Sequence, residues 1–211
     1  MQNKIFNKAL LLNIAVFFSF ASLLMNVAKA DTPSYKIEVI VFESLALKGW
    51  TEEYWPANIE LPNIENSISV FNKQKPPLFI NSSSKTMGSK SYALNKKGYR
   101  VLFHQAWTQR AYPNRNSTKV LLEGSNQYGS NMLGTVRLYK TRFAHVNFDL
   151  NFDRRIPSKV KNEFANNQNL NENNLPSHWS FSLKESRKIR PGELHYIDHP
   201  LFGVLVEITK L

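Results

Sequence analysis

The sequence predicts an α+β domain, predominantly antiparallel β-sheet, with one or two short helices covering a sheet face. Three observations carry that prediction. Several segments alternate apolar with polar residues at period two, β-branched and aromatic residues are dense within them, and Gly, Pro and Asn clusters break the chain between them. No fixed-period repeat and no low-complexity block is present, so one ordinary domain accounts for the pattern.

Residues 35–43 alternate and then become uniformly apolar, which predicts a first strand with a buried face. Gly49-Trp50-Thr51-Glu52-Glu53-Tyr54-Trp55-Pro56 packs three aromatics into an ordered loop or short helix, limited by Pro56 and Pro62. From 63 to 88 the composition turns to Asn, Ser, Lys and Pro, which predicts mostly loop, with apolar patches at 68–71 and 78–80. A short helix is expected over 89–97, closed by Gly98. Residues 99–109 read as a buried strand whose hairpin partner is expected at 119–123, across the loop that holds Pro113. Residues 133–152 read as two strands or one bent strand. The Asn-rich stretch 153–176 should hold a short helix near 158–166 and little core. Strands at 179–188, 192–197 and 201–208 close the chain, separated by Pro191-Gly192 and His199-Pro200.

Residues 1–30 stand apart from this domain. Lys4 and Lys8 precede an apolar run from Leu10 to Leu24, and Ala28-Lys29-Ala30 stands before Asp31, the order of features in a cleavable signal peptide. The run is about 15 residues long and interrupted by Asn13 and Ser19, short of the roughly 20 residues that span a bilayer. No cysteine follows it, which excludes the lipid-anchored variant of bacterial export. The expectation is a leader at 1–30 and a domain at 31–211, delivered to the periplasm with no transmembrane segment after cleavage.

The chain carries 27 Lys+Arg against 16 Asp+Glu; without the leader's three lysines the balance is 24 to 16, a net +8. Acidic partners are implied. Outside the cytoplasm nucleic acid is not the natural one, which leaves cell-wall polymers and anionic lipid surfaces. The absence of cysteine excludes disulfide frameworks, thiolate metal sites and cysteine nucleophiles, so stability rests on packing.

The densest polar cluster is Glu193-Leu194-His195-Tyr196-Ile197-Asp198-His199-Pro200. His195, Asp198 and His199 have metal-ligand chemistry without a recognised spacing, and on a strand the histidines share a face that Asp198 does not. They are expected to form a hydrogen-bond network that fixes the turn, with no metal and no cofactor. No Gly-x-Ser-x-Gly elbow or Ser-x-x-Lys box stands in a strand-to-helix context, and Glu52-Glu53 suits a solvated turn, so no enzymatic activity is expected. Arg137, Lys140 and Arg142, followed by His145, lie along one predicted strand, and Lys184, Arg187, Lys188 and Arg190 lie along another. Two basic ribbons in one sheet would make an anion-binding face; a solvated sheet surface is the plainer reading. Trp50 and Trp55 are candidate platforms for sugar rings, whereas Trp107 is expected in the core. The ligand-binding candidates are therefore Arg137, Lys140, Arg142, Arg187, Arg190, Trp50 and Trp55.

Residues 35–43 with the Gly49-to-Pro56 segment, residues 99–107, residues 133–146 and residues 193–206 together resemble the CsiV family, over nearly all of the chain beyond the leader. The chain departs from the family pattern in its Asn-rich stretch 162–174 and at Ala144. These are exported peptidoglycan-binding proteins of gammaproteobacteria. The resemblance implies a non-enzymatic periplasmic factor that binds peptidoglycan and supports a class A penicillin-binding protein through that synthase's outer-membrane lipoprotein activator, with cell shape depending on it. A scaffold that touches only proteins of the wall-synthesis machinery is the competing reading.

Overall fold

The computed structural model describes residues 32–71, 79–80 and 85–211, with backbone alone at 79–80; the predicted leader lies outside the described residues. In chain order the strands are β1 (Ser34–Ser44), β2 (Ile68–Ser69), β3 (Phe79–Ile80), β4 (Tyr99–Arg110), β5 (Lys119–Ser125), β6 (Ser130–Lys140), β7 (Ala144–Arg155), β8 (His178–Ile189), β9 (Leu194–His199) and β10 (Phe202–Lys210). The α-helices are α1 (Lys48–Thr51), α2 (Gly88–Lys96) and α3 (Lys161–Asn167). The strands make two five-stranded sheets, ordered β3-β4-β1-β10-β9 and β2-β5-β6-β7-β8. Every pairing is antiparallel except β2 with β5. The predicted β-dominated α+β class is the observed one.

Alternation sets how the sheets meet. Along β7, Ala144, Val146, Phe148, Leu150 and Phe152 are buried and the residues between them are not, so one face of the second sheet packs inward and the other faces out. Their partners in the common core include Ile37, Val39 and Val41 of β1 and Val204, Val206 and Ile208 of β10. β1 is buried on both faces: Ile40 and Phe42 point away from that core and cluster with Met87, Leu94 and Tyr99 beneath α2. That double burial explains the uninterrupted apolar run Val39-Ile40-Val41-Phe42.

The start of α2 is pinned by a carboxylate. Glu38 accepts hydrogen bonds from the Thr86 and Met87 backbone N–H groups at 2.7 and 2.8 Å and from the Thr86 hydroxyl at 2.8 Å, and lies 2.7 Å from His104 Nε2. Burial alone would raise its pKa, but these bonds to the charged form outweigh it and hold the carboxyl below its ordinary value. Gly98 ends the helix region at φ +86°, as its place in the sequence predicts.

Two expectations are corrected. β4 does not pair with β5; it lies between β3 and β1 in the first sheet, while β5 lies between β2 and β6 in the second. β4 matches β1 along its whole length with one bulge, and that long apolar register outcompetes a hairpin across Pro113. The apolar patches in the 63–88 stretch contribute the two-residue strands β2 and β3. The Asn-rich stretch supplies core after all. Phe164 of α3 is fully buried, with its ring centroid 5.4 Å from Trp50 and 5.2 Å from Trp179, and Gln168 Oε1 accepts from the Trp55 backbone N–H at 2.7 Å.

Candidate functional site

Both basic ribbons belong to the second sheet, and cross-strand register decides which of their residues meet. Tyr139, His145 and Lys188 form one row across β6, β7 and β8; Arg137, Asn147 and Ser186 form the next; Thr135, Asp149 and Lys184 form the third. All nine have the outward parity of their strands, so the rows tile the outer face. The first row carries flat apolar surface as well as charge. Tyr139 and His145 stack with centroids 5.1 Å apart and planes 9° apart. The β6–β7 turn adds Arg142 and the half-exposed Phe143, whose ring receives Lys188 Nζ at 3.4 Å from its centroid and the Arg142 guanidinium at 5.4 Å.

Arg137 donates to Asn114 Oδ1 at 3.3 Å, and Lys188 and Arg142 lie against a ring. Their partners are neutral, so the positive charge of this end of the sheet is left for an incoming anion. Lys140 ends β6 beside the same turn.

The other predicted residues are placed elsewhere. Trp50 is fully buried and Trp55 is 9% exposed; both pack edge-on against Phe181. Neither offers a face to a sugar, because α1 and the segment after it, which carry them, are pinned by the end of α3 and lie in the core, where large aromatics gain most from burial. Trp107 is buried as expected. Arg187 has inward parity and bridges the seam between sheets, donating to the Tyr196 carbonyl of β9 and pairing with Glu185 at 3.3 Å. Arg190 pairs with Glu193 at 3.4 Å in the β8–β9 turn. These two arginines are thus engaged by the fold and stand off the cationic face.

His195, Asp198 and His199 do not bond to one another. His195 Nε2 accepts from the Arg190 backbone N–H, Asp198 accepts from the Tyr196 hydroxyl, and His199 Nδ1 accepts from the Leu201 backbone N–H at 3.2 Å. The expected network is therefore three separate anchors, of which His199 alone fixes the turn before β10. Its ring packs against Trp55 and Phe202, and this burial lowers its pKa to about 4 against the weaker opposing pull of Asp198. Among the described residues no group of three or more His, Cys, Asp or Glu is disposed to hold a metal ion.

Sequence reasoning missed the middle of the face. Asn147, Asp149, Lys184, Glu185 and Ser186 line an open groove of about 300 Å³. Segment 56–66 runs over the sheet beside it: Glu60 pairs with Lys184 of β8 at 2.5 Å, and Asn63 Oδ1 accepts from Lys119 of β5 at 3.0 Å, close to opposite rims. Thr135, outward-facing between those strands, is only 6% exposed. At the Tyr139 end of the face, Lys188 and Phe143 are exposed. Only the polar alternation Asn147, Asp149, Asn151 along β7 hinted at such a place, and the same alternation marks any solvated face.

Among the described residues no helix is long and apolar enough to cross a membrane. Comparison with curated proteins and with solved structures returned no match. A family model described as "Peptidoglycan-binding protein, CsiV" matches residues 9–211, nearly the whole chain. The chain that builds this sandwich, with its cationic outer face, belongs to the CsiV family of peptidoglycan-binding proteins.

Proposed function

We propose that the protein acts outside the cytoplasm, after removal of a leader at 1–30, as a non-enzymatic periplasmic factor that holds peptidoglycan on the outer face of β6, β7 and β8. The observation that carries this reading is the first row with its turn: Lys188 and Arg142 flank an exposed Phe143, beside a stacked Tyr139–His145 pair and Arg137. Peptidoglycan presents what that arrangement complements, carboxylates on its stem peptides and apolar ring faces on its sugars. Guanidinium and ammonium groups with neutral partners take the carboxylates, and the flat rings pack on the glycan. Lys140 completes the cationic end. Through this contact the protein supports a class A penicillin-binding protein and its outer-membrane lipoprotein activator in wall assembly and in maintaining cell shape.

The test is sedimentation of the mature domain with purified sacculi. The protein should pellet at low ionic strength and be released at about 1 M salt, where the Debye length falls to about 3 Å. Recovery in the supernatant at low ionic strength would overturn wall binding and favour a scaffold that touches proteins alone.

A further inference from the structure

One end of the sandwich carries more cations than the outer face uses. Backbone pairing closes a ring around that end. The Lys140 N–H of β6 donates to the Tyr112 carbonyl in the loop after β4 at 3.0 Å, and Ala144 of β7 pairs with Ile189 of β8. The Gly192 N–H of the β8–β9 turn donates to the Ile208 carbonyl of β10 at 2.8 Å, and the start of β1 pairs through Ser34 with Arg110 of β4 and through Tyr35 with Lys210 of β10. The rim so formed brings together Arg110, Arg115, Lys140, Arg142, Lys188 and Lys210, all exposed except the half-buried Lys140. Among the described residues none of the six is ion-paired. Glu193 in the β8–β9 turn is held by Arg190.

The other end is built differently. Arg100 and Arg154 are both neutralised by Glu43, and Lys48 pairs with Glu52. Uncompensated charge is therefore concentrated at the rim, where like charges repel until an anion meets them. The layout of the rim indicates what kind of anion. Its cations stand around the perimeter of an end made of strand termini and turns, contributed by two sheets that pack about 10 Å apart. A single polymer chain crossing such an end reaches only some of them, whereas a flat anionic surface reaches the whole perimeter. The β6–β7 turn adds the half-exposed Phe143, an apolar ring flanked by Lys188 and Arg142. Cations around an exposed apolar side chain suit the headgroup layer of a bilayer, which offers phosphates beside the acyl boundary.

We infer that this end of the sandwich docks on an anionic phospholipid bilayer, with Arg110, Arg115, Lys140 and Lys210 against headgroup phosphates and Phe143 among the headgroups. Of the two acidic partners that the charge balance leaves, the outer face suits cell-wall polymers and the end suits lipid. Arg142 and Lys188 stand where face and end meet, whereas Arg110 and Arg115 lie outside the three rows of the face and belong to the end alone. The inference goes beyond the peptidoglycan reading and does not depend on it.

Flotation of the mature domain with phospholipid vesicles at low ionic strength tests this. The domain should rise with phosphatidylcholine vesicles that hold about 30% phosphatidylglycerol, stay behind with phosphatidylcholine alone, and be released from the anionic vesicles at about 1 M salt. Arg110→Glu with Arg115→Glu should lower the affinity for anionic vesicles about tenfold or more. Lys90→Glu with Lys97→Glu makes the same change in net charge around α2 and should stay within about twofold of wild type. Absence of flotation with the anionic vesicles overturns the inference, and retention on sacculi in that case would assign the rim to the wall instead. Equal flotation with both kinds of vesicle, or equal losses from the two variant pairs, also overturns it. The vesicle comparison uses the wild-type chain, so it decides the matter even where a variant fails to fold.

Discussion

Arg154 Nε of β7 lies 3.1 Å from Glu43 Oε2 of β1, an ion pair that ties the two sheets together at one end of the sandwich. Glu43 is fully buried, and its remaining acceptor capacity is met by Arg100 at 2.5 Å, Ser130 at 2.7 Å and Asn126 at 2.9 Å. Arg154 also donates to the carbonyls of Ser44 and Leu201 and sits over the Trp50 ring. A buried charge so completely partnered fixes how the sheets dock. Glu43→Gln leaves Arg154 buried beside a neutral amide and should destabilise the domain by about 3 kcal/mol or more, read as a lower urea midpoint with an unchanged slope. In a double-mutant cycle with Arg154→Met the coupling should exceed about 1 kcal/mol.

The ladder beneath the candidate site depends on a missing side chain. A Cβ at Gly134 of β6 would lie 2.2 Å from the Asp149 carbonyl oxygen and 2.7 Å from Leu150 Cα. Backbone cannot yield as a flexible side chain does, so Gly134→Ala should spread β6 from β7 and destabilise by about 2–3 kcal/mol. Because β6 and β7 both contribute to the proposed wall-binding face, sacculus retention should fall in step with it. A thermal melt and sedimentation on the same sample check both.

His199 makes stability depend on pH. Its imidazole titrates at about 4 in the fold against an ordinary 6.5, so between those values the unfolded chain binds the proton that the folded chain refuses. Stability should therefore be full above about pH 6.5, decline as the pH falls toward 4, and lose on the order of 3 kcal/mol from this group alone. Glu38, whose pKa is lowered, adds to the loss at the acid end as it takes up a proton. Urea unfolding of the wild type and of His199→Asn across that range checks the sign: the variant's profile should be flatter. A wild-type midpoint that rises on acidification would contradict the account.

How much of this was legible in the chain depends on the range of the forces involved. Alternation in residues 133–152 and the uniform apolar run at 39–42 report local burial, and the strands and the doubly covered β1 follow from them. The β4–β5 pairing was misread because strand partnership is decided by long-range register, here β4 against β1, which proximity in sequence does not encode. Trp50 and Trp55 were misassigned for a related reason: what buries them is Phe181 and the Asn-rich α3 region, distant in sequence. The basic ribbons were visible as charges, yet only register could show that Arg137 and Lys188 share the outer face while Arg187 turns to the seam. The groove was invisible, since an outward Asn147 or Asp149 that lines a hollow and one on an open face are spelled alike.

The wall-binding face itself is tested most directly by comparing two double charge reversals in the sacculus assay at low ionic strength. Arg137→Glu with Lys188→Glu alters the face, whereas Lys90→Glu with Lys97→Glu makes the same change in net charge at exposed positions around α2. The account predicts that the first loses about tenfold or more in retention and the second stays within about twofold of wild type. Equal losses from the two would show that overall charge, and not this surface, holds the wall.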